Sequence, residues 1–105
     1  DPLTKKNEGQ LLNIPVDVVL DDNKLLEKGF YNVFAEKEDG KIYLEFYQSQ
    51  YLMGKVRAYE TDEDFDSETI DFVKYEPLID SCIKILFGSL DYNAYAYLMF
   101  YNSDD

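Results

Sequence analysis

The alternation of apolar and polar residues along the chain predicts short β-strands separated by turns. The clearest pair covers residues 30–37 and 41–48, which flank an Asp-Gly dipeptide at 39–40. Asp-Gly suits a type I′ turn of two residues, because both positions of that turn need a positive φ angle. Such a turn fixes the register of the hairpin and places Val33 opposite Phe46.

This register divides the hairpin into two faces, because residues directly opposite each other in a sheet share a face. The apolar face, which we expect to meet the core, consists of Tyr31, Val33, Ala35, Ile42, Leu44 and Phe46. The outward face mixes aromatic and polar side chains and consists of Asn32, Phe34, Glu36, Tyr43, Glu45 and Tyr47. A slip of one residue would exchange the two faces.

Similar patterns along the rest of the chain predict an all-β fold. With the hairpin they give about seven strands, arranged as a small antiparallel sandwich or barrel with meander connections. We expect at most one or two short helices, including one helical turn at 25–28. The remaining strands are predicted at 11–20, 52–60, 70–75, 81–87 and 94–101, and Glu76-Pro77 is expected to stop the third of these. In the strand at 52–60, one face is expected to contain Leu52, Gly54, Val56 and Ala58, and the small residues Gly54 and Ala58 indicate close approach of another layer.

The length of 105 residues predicts one domain. Hydrophobic residues make up 46% of the chain and aromatic residues 16%, which is sufficient material for a core. We expect a flexible arm at 1–9, a β domain at 10–101 and a frayed tail at 102–105.

The formal net charge of −12 limits the possible partners. Nucleic acids and anionic membrane surfaces would be repelled, whereas a basic protein or a glycan would not. No apolar stretch has the roughly 20 residues that span a bilayer, so we expect no membrane insertion. The chain begins at Asp1 and not at Met, which predicts an exported, secreted or periplasmic protein trimmed from a leader.

The sequence contains little that could support catalysis. It has no His and a single Cys, so neither an activated nucleophile nor a thiolate metal site is expected. We therefore predict a protein that is not an enzyme and has no cofactor.

An acidic connection at 60–71 contains Asp62, Asp64 and Asp66, whose alternate spacing is typical of ligands for Ca²⁺. An EF-hand loop would continue with Gly and Glu at positions where this chain has Ser67 and Val73. The connection is therefore predicted to be a solvated surface loop without a tight metal site, and a weak cation site is the alternative.

The candidate binding residues are Phe34, Tyr43, Glu45 and Tyr47 on the outward face of the hairpin. Aromatic rings among hydrogen-bonding groups could hold a sugar ring or a peptide. Coverage by another part of the chain, cross-strand pairing of the rings, or an oligomer contact would also account for them. Sheet packing is expected for a second cluster near the C-terminus, formed by Tyr92, Tyr95, Tyr97 and Tyr101.

Two functions remain open from the sequence. The first is a non-catalytic, exported β domain that binds or contacts a protein or glycan at the cell envelope. The alternative is a small acidic inhibitor that blocks a basic enzyme or imitates the phosphates of a nucleic acid. An inhibitor should present a contiguous acidic surface, whereas charge that serves only solubility should be dispersed.

Overall fold

A computed structural model describes residues 9–78 and 81–100, and every regular element within these ranges is a β-strand. The predicted all-β, antiparallel fold is confirmed. The tail predicted at 102–105, and the predicted N-terminal arm except Gly9, lie outside the described residues. The strands are β1 (Gln10–Ile14), β2 (Val18–Val19), β3 (Leu25–Leu26), β4 (Gly29–Glu38), β5 (Lys41–Gln48), β6 (Tyr51–Thr61), β7 (Phe72–Leu78), β8 (Cys82–Gly88) and β9 (Asn93–Phe100).

The strands form two layers that are continuous along one side. The order across the first layer is β1-β4-β5-β6, and the second contains β9, β8 and β7, with all neighbours antiparallel. Strand β6 belongs to both layers, because Ala58 pairs with Ile42 of β5 and Tyr59 pairs with Tyr95 of β9. On the opposite side, β1 and β7 approach each other.

The hairpin of β4 and β5 has the predicted register. Asp39 and Gly40 have φ angles of 53° and 79°, as a type I′ turn requires. Val33 pairs with Phe46, and the remaining predicted pairs follow from Glu38–Lys41 to Asn32–Tyr47. Turn chemistry and apolar alternation therefore specify the same pairing.

The core lies between the two layers and is entirely apolar within the described part of the chain. No charged or polar residue is buried there. Tyr31 meets the edge of Phe46 at a centroid distance of 6.1 Å, the T-shaped geometry that aromatic pairs prefer. The largest fully buried side chains are Ile14, Val18, Leu26, Val33, Leu44, Phe46, Val56, Ile83, Ile85 and Leu98.

The segment between β1 and β4 differs from its prediction in two respects. The strand predicted at 11–20 is interrupted after Ile14, because Pro15 has no N–H to donate to a ladder. The helical turn predicted at 25–28 is instead β3, which pairs with β2. A pair of adjacent leucines suits either structure, and tertiary pairing decides in favour of the strand.

The β2–β3 ribbon fills the gap where β6 and β9 diverge. Val18 and Val19 pair with the C-terminal end of β9, and the Asp21 carboxylate accepts a hydrogen bond of 3.0 Å from the Arg57 N–H. Leu20 packs so closely on Gly54 that a Cβ atom there would overlap its side chain. The close approach predicted at Gly54 is therefore confirmed.

Two strand details were wrong in the prediction. The register between β5 and β6 shifts after Phe46, so Leu52 no longer shares the inward face with Gly54 and is 46% exposed. Strand β7 does not stop at Pro77 but reaches Leu78. Proline is tolerated there because β7 pairs only with β8 among the described strands, which leaves its other edge free of ladder bonds.

Candidate functional site

The four predicted binding residues lie together on the outer face of β4 and β5, but they are not equally accessible. Phe34 is only 8% exposed, because the backbone at Gly9 lies against its ring. Its edge meets Tyr47 at 5.4 Å between ring centroids. Tyr43, Glu45 and Tyr47 are half-buried, so these three side chains provide the accessible part of the predicted surface.

The surroundings of Tyr47 favour the neutral form of its hydroxyl. Burial raises the pKa of Tyr47, and the charges of Glu45 and Glu36, with a hydrogen bond to Glu45, add to this effect. A neutral phenol beside a carboxylate gives this part of the surface both a donor and an acceptor.

The aromatic surface continues from β5 onto β6, where basic side chains lie over the rings. The Lys55 ammonium lies 5.0 Å from the centroid of Tyr43. Arg57 pairs with Tyr43 across the ladder, and its guanidinium lies 4.9 Å from the centroid of Tyr59. Both distances are typical of cation–π contacts.

Further tyrosines extend this surface onto the second layer. Tyr95 lies between Tyr59 and Tyr97, with centroid distances of 5.7 Å to each. Lys84 of β8 lies 4.8 Å from the centroid of Tyr95 and 5.8 Å from that of Tyr97. We call this continuous surface the aromatic strip, which consists of Tyr43, Tyr47, Lys55, Arg57, Tyr59, Lys84, Tyr95 and Tyr97.

Sequence reasoning did not find the second half of the strip. Tyr95 and Tyr97 were recognised as a cluster, but sheet packing was expected to explain them. Their connection to Tyr43 depends on the pairing of β6 with β9, which are more than thirty positions apart in the chain. The alternation of Lys55, Arg57 and Tyr59 on one face of β6 is the signal that could have indicated it.

A second surface of different chemistry lies where the β4–β5 turn, the end of β6 and the start of β9 meet. Antiparallel pairing brings these ends together, as the pairs Glu38–Lys41 and Thr61–Asn93 show. The acidic connection and the β8–β9 turn are at the same end. We call this region the acidic end, and its carboxylates are Glu36, Glu38, Asp39, Glu60, Asp62, Glu63, Asp64, Asp66, Glu68, Asp71 and Asp91.

Tyr92 shows how closely several of these carboxylates approach one another. Burial raises the pKa of Tyr92, and the charges of Asp91, Glu60 and Glu36 raise it further. Lys37 lies 5.1 Å from the centroid of this ring and 3.6 Å from the Glu60 carboxylate. This pair is half-exposed and contributes little to stability.

The acidic connection begins with a tight turn whose local bonds explain its conformation. The Asp64 carboxylate accepts a hydrogen bond from the Asp66 N–H, and the Asp64 carbonyl accepts one from Ser67. Phe65 has a φ angle of 53°, and its ring packs against Phe72 at 6.2 Å. The described residues contain no group of three or more His, Cys, Asp or Glu positioned to hold a metal ion.

A cleft of about 420 Å³ opens beside the acidic end, between the start of β1 and the end of β8. Its lining is mainly apolar or small, with Asp71 at one side. The residues that line it are Gly9, Gln10, Val33, Phe34, Ala35, Asp71, Phe87, Gly88 and Ser89.

Comparisons with protein-family models, curated proteins and solved structures find no match to the chain. Within residues 9–78 and 81–100 there is no helix of the length and apolarity that crossing a membrane requires.

Proposed function

We propose that this chain is a non-catalytic, exported β domain that binds a protein or glycan at the cell envelope through the aromatic strip. The observation that carries this proposal is the continuity of the strip across four strands. Tyr59 and Tyr97 are 45% and 44% exposed, although neither ring is needed to fill the core. Large exposed aromatic surfaces on small domains commonly serve as contact sites.

The chemistry of the strip suits such a ligand. Tyrosine rings offer apolar faces for the C–H groups of a sugar or for apolar side chains, and their hydroxyls offer hydrogen bonds. Lys84 has three ammonium donors, and none of them forms a hydrogen bond or ion pair with a described residue. An extended sheet face of this kind also requires little reorganisation on binding, which lowers the entropic cost.

A catalytic role is not part of this proposal, because the cleft offers too few reactive groups. Asp71 is the only carboxylate among its lining residues. General acid–base chemistry by carboxylates requires two of them, held at a set separation around the reacting bond.

The proposal can be tested with the double variant Tyr59→Ser/Tyr97→Ser on a glycan array and in pull-downs from envelope extracts. We expect the free energy of unfolding in urea to change by less than about 1 kcal/mol, because neither ring packs in the core. Binding should be lost, whereas Phe30→Ser, an exposed position outside the strip, should bind as the wild type does. A double variant that is stable and still binds would refute the role of the strip.

We propose a second candidate, an acidic inhibitor of a basic enzyme, because the acidic end is contiguous. Among the described residues, ion pairs at this end join Glu38 to Lys55 and Glu60 to Lys37, and its other carboxylates form none. A surface with charge of one sign accelerates association with a partner of opposite charge, and added salt reduces this acceleration. Inhibition assays on a panel of basic nucleases at low and high salt test this candidate, and no inhibition at low salt would exclude it.

A further inference from the structure

Among the described residues, strand β4 has an unpaired edge next to the cleft. Strand β1 begins at Gln10, which pairs with Val33, so no described strand pairs with β4 on that side from Phe34 to Glu38. An unpaired edge presents backbone N–H and C=O groups that can accept another strand. The cleft opens directly beside this edge, since Ala35 lines it.

The cleft combines small and apolar residues with a single charge. Ala35 contributes apolar surface beside the polar side chains of Gln10 and Ser89, and Asp71 is the only charged side chain in the lining. The Asp71 carboxylate forms no hydrogen bond or ion pair with any described residue. A long aliphatic side chain with a cationic tip matches this combination, because its stem is apolar and its head pairs with a carboxylate.

Charge at the acidic end favours the same ligand. Clefts surrounded by charge of one sign concentrate the electrostatic field and attract the opposite sign. Ion pairs within the acidic end involve Glu38 and Glu60 among the described residues, which leaves most of its carboxylates uncompensated.

We propose that this cleft and the adjacent β4 edge bind an extended basic segment of a partner protein, an inference that rests on the second proposed function. A lysine or arginine side chain of the segment enters the cleft and pairs with Asp71. Its main chain pairs with β4 alongside Ala35–Lys37. A small amine could form only the ion pair with Asp71. A polypeptide could also form main-chain hydrogen bonds with the edge of β4 and reach the other carboxylates of the acidic end.

The probe is a short fluorescein-labelled peptide in which arginine alternates with threonine, titrated by fluorescence anisotropy at low salt. A peptide with citrulline in place of arginine has the same shape without the charge, and we expect it not to bind. If the arginine peptide does not bind the wild-type chain, the second proposed function fails together with this inference.

Two variants that each remove one negative charge distinguish binding in the cleft from attraction by the overall charge of the acidic end. Asp71→Asn removes the carboxylate in the cleft, and we expect it to weaken binding about tenfold. Asp66→Asn removes one charge from the same connection outside the cleft, and its effect should stay below about twofold. Equal losses would show that only the net charge acts, which overturns this inference and leaves the proposed function standing.

A third variant and an exchange measurement locate the peptide. Ala35→Phe fills the cleft without a change of charge, and it should weaken binding as much as Asp71→Asn does. Hydrogen exchange at the amides of Ala35 and Lys37, whose N–H groups point away from β5, should be fast in the free protein and slow with the peptide bound. Slow exchange in the free protein would mean that the edge is already paired, and unchanged exchange on binding would place the peptide elsewhere; either result overturns the inference.

Discussion

Replacement of Phe46 by alanine should be among the most destabilising single changes in this chain. The ring is fully buried, packs against Tyr31 in the same T-shaped contact, and lies opposite Val33 on one side and Gly54 on the other. Because Gly54 has no side chain, no neighbour on that strand can move into the space left by the ring.

The magnitude follows from the area removed from water. An aromatic side chain buries on the order of 150–250 Å². At about 25 cal/mol per Å² this corresponds to roughly 4–6 kcal/mol, of which alanine retains a part. Large-to-small changes of this type cost about 3–5 kcal/mol, and the lack of a side chain at Gly54 favours the upper part of that range.

Urea unfolding, followed by far-UV circular dichroism, measures this loss directly. Phe46→Leu keeps most of the volume and should recover at least about half of the loss. Phe30→Ala provides the matched control, because Phe30 lies on the neighbouring strand and is 61% exposed, and it should cost less than about 1 kcal/mol. A loss below about 1 kcal/mol for Phe46→Ala, with an unchanged slope against urea, would refute the described core.

Three further predictions concern the turn, the ribbon and the tyrosines. Gly40→Ala should cost about 1–2 kcal/mol in urea unfolding from backbone strain alone, since φ is 79° and no atom would obstruct the new Cβ, whereas D-alanine at the same position should cost nothing. Gly54→Ala should destabilise by about 1–3 kcal/mol, and a double-mutant cycle with Leu20→Ala should show coupling; strict additivity would contradict the packing of the ribbon on β6. Burial raises the pKa of Tyr31 and Tyr92, so the folded state favours the neutral form of both side chains. The free energy of unfolding should therefore be constant up to about pH 10 and then fall as the pH rises. Tyr31→Phe should reduce that fall, which unfolding curves measured across this pH range would reveal.

The hairpin shows how much of this fold can be derived from the sequence. Asp39-Gly40 determines the turn, the alternation on either side determines the faces, and both concern neighbouring residues in the chain. The strands at 81–87 and 94–101 were predicted nearly to their ends for the same reason. Local sequence signals are sufficient to predict a strand when the strand that pairs with it follows directly after one turn of the chain.

The β2–β3 ribbon shows what the sequence leaves open. Leu25 and Leu26 have no alternation of their own, and their pairing with Val18 and Val19 depends on a gap between β6 and β9. That gap results from strands far apart in the chain. The register shift between β5 and β6 that exposes Leu52 also departs from what the alternation of residues predicts.

The candidate surfaces were derived only in part. The outward face with Tyr43, Glu45 and Tyr47 follows from the hairpin register, but the burial of Phe34 depends on Gly9, which is distant in sequence. The acidic connection was evident from composition. That this connection lies near Glu36 and Asp91 at one end of the molecule could be predicted only from the complete strand order.

The central claim is that a single strand register produces both the aromatic strip and the acidic end. Solution NMR tests it most directly, through cross-strand nuclear Overhauser effects between the hydrogens of paired residues. The account predicts contacts between Ala35 and Leu44 in the hairpin, and between Tyr59 and Tyr95 where the two layers join. Contacts displaced by one residue, or the absence of any contact between β6 and β9 in a folded sample, would contradict it.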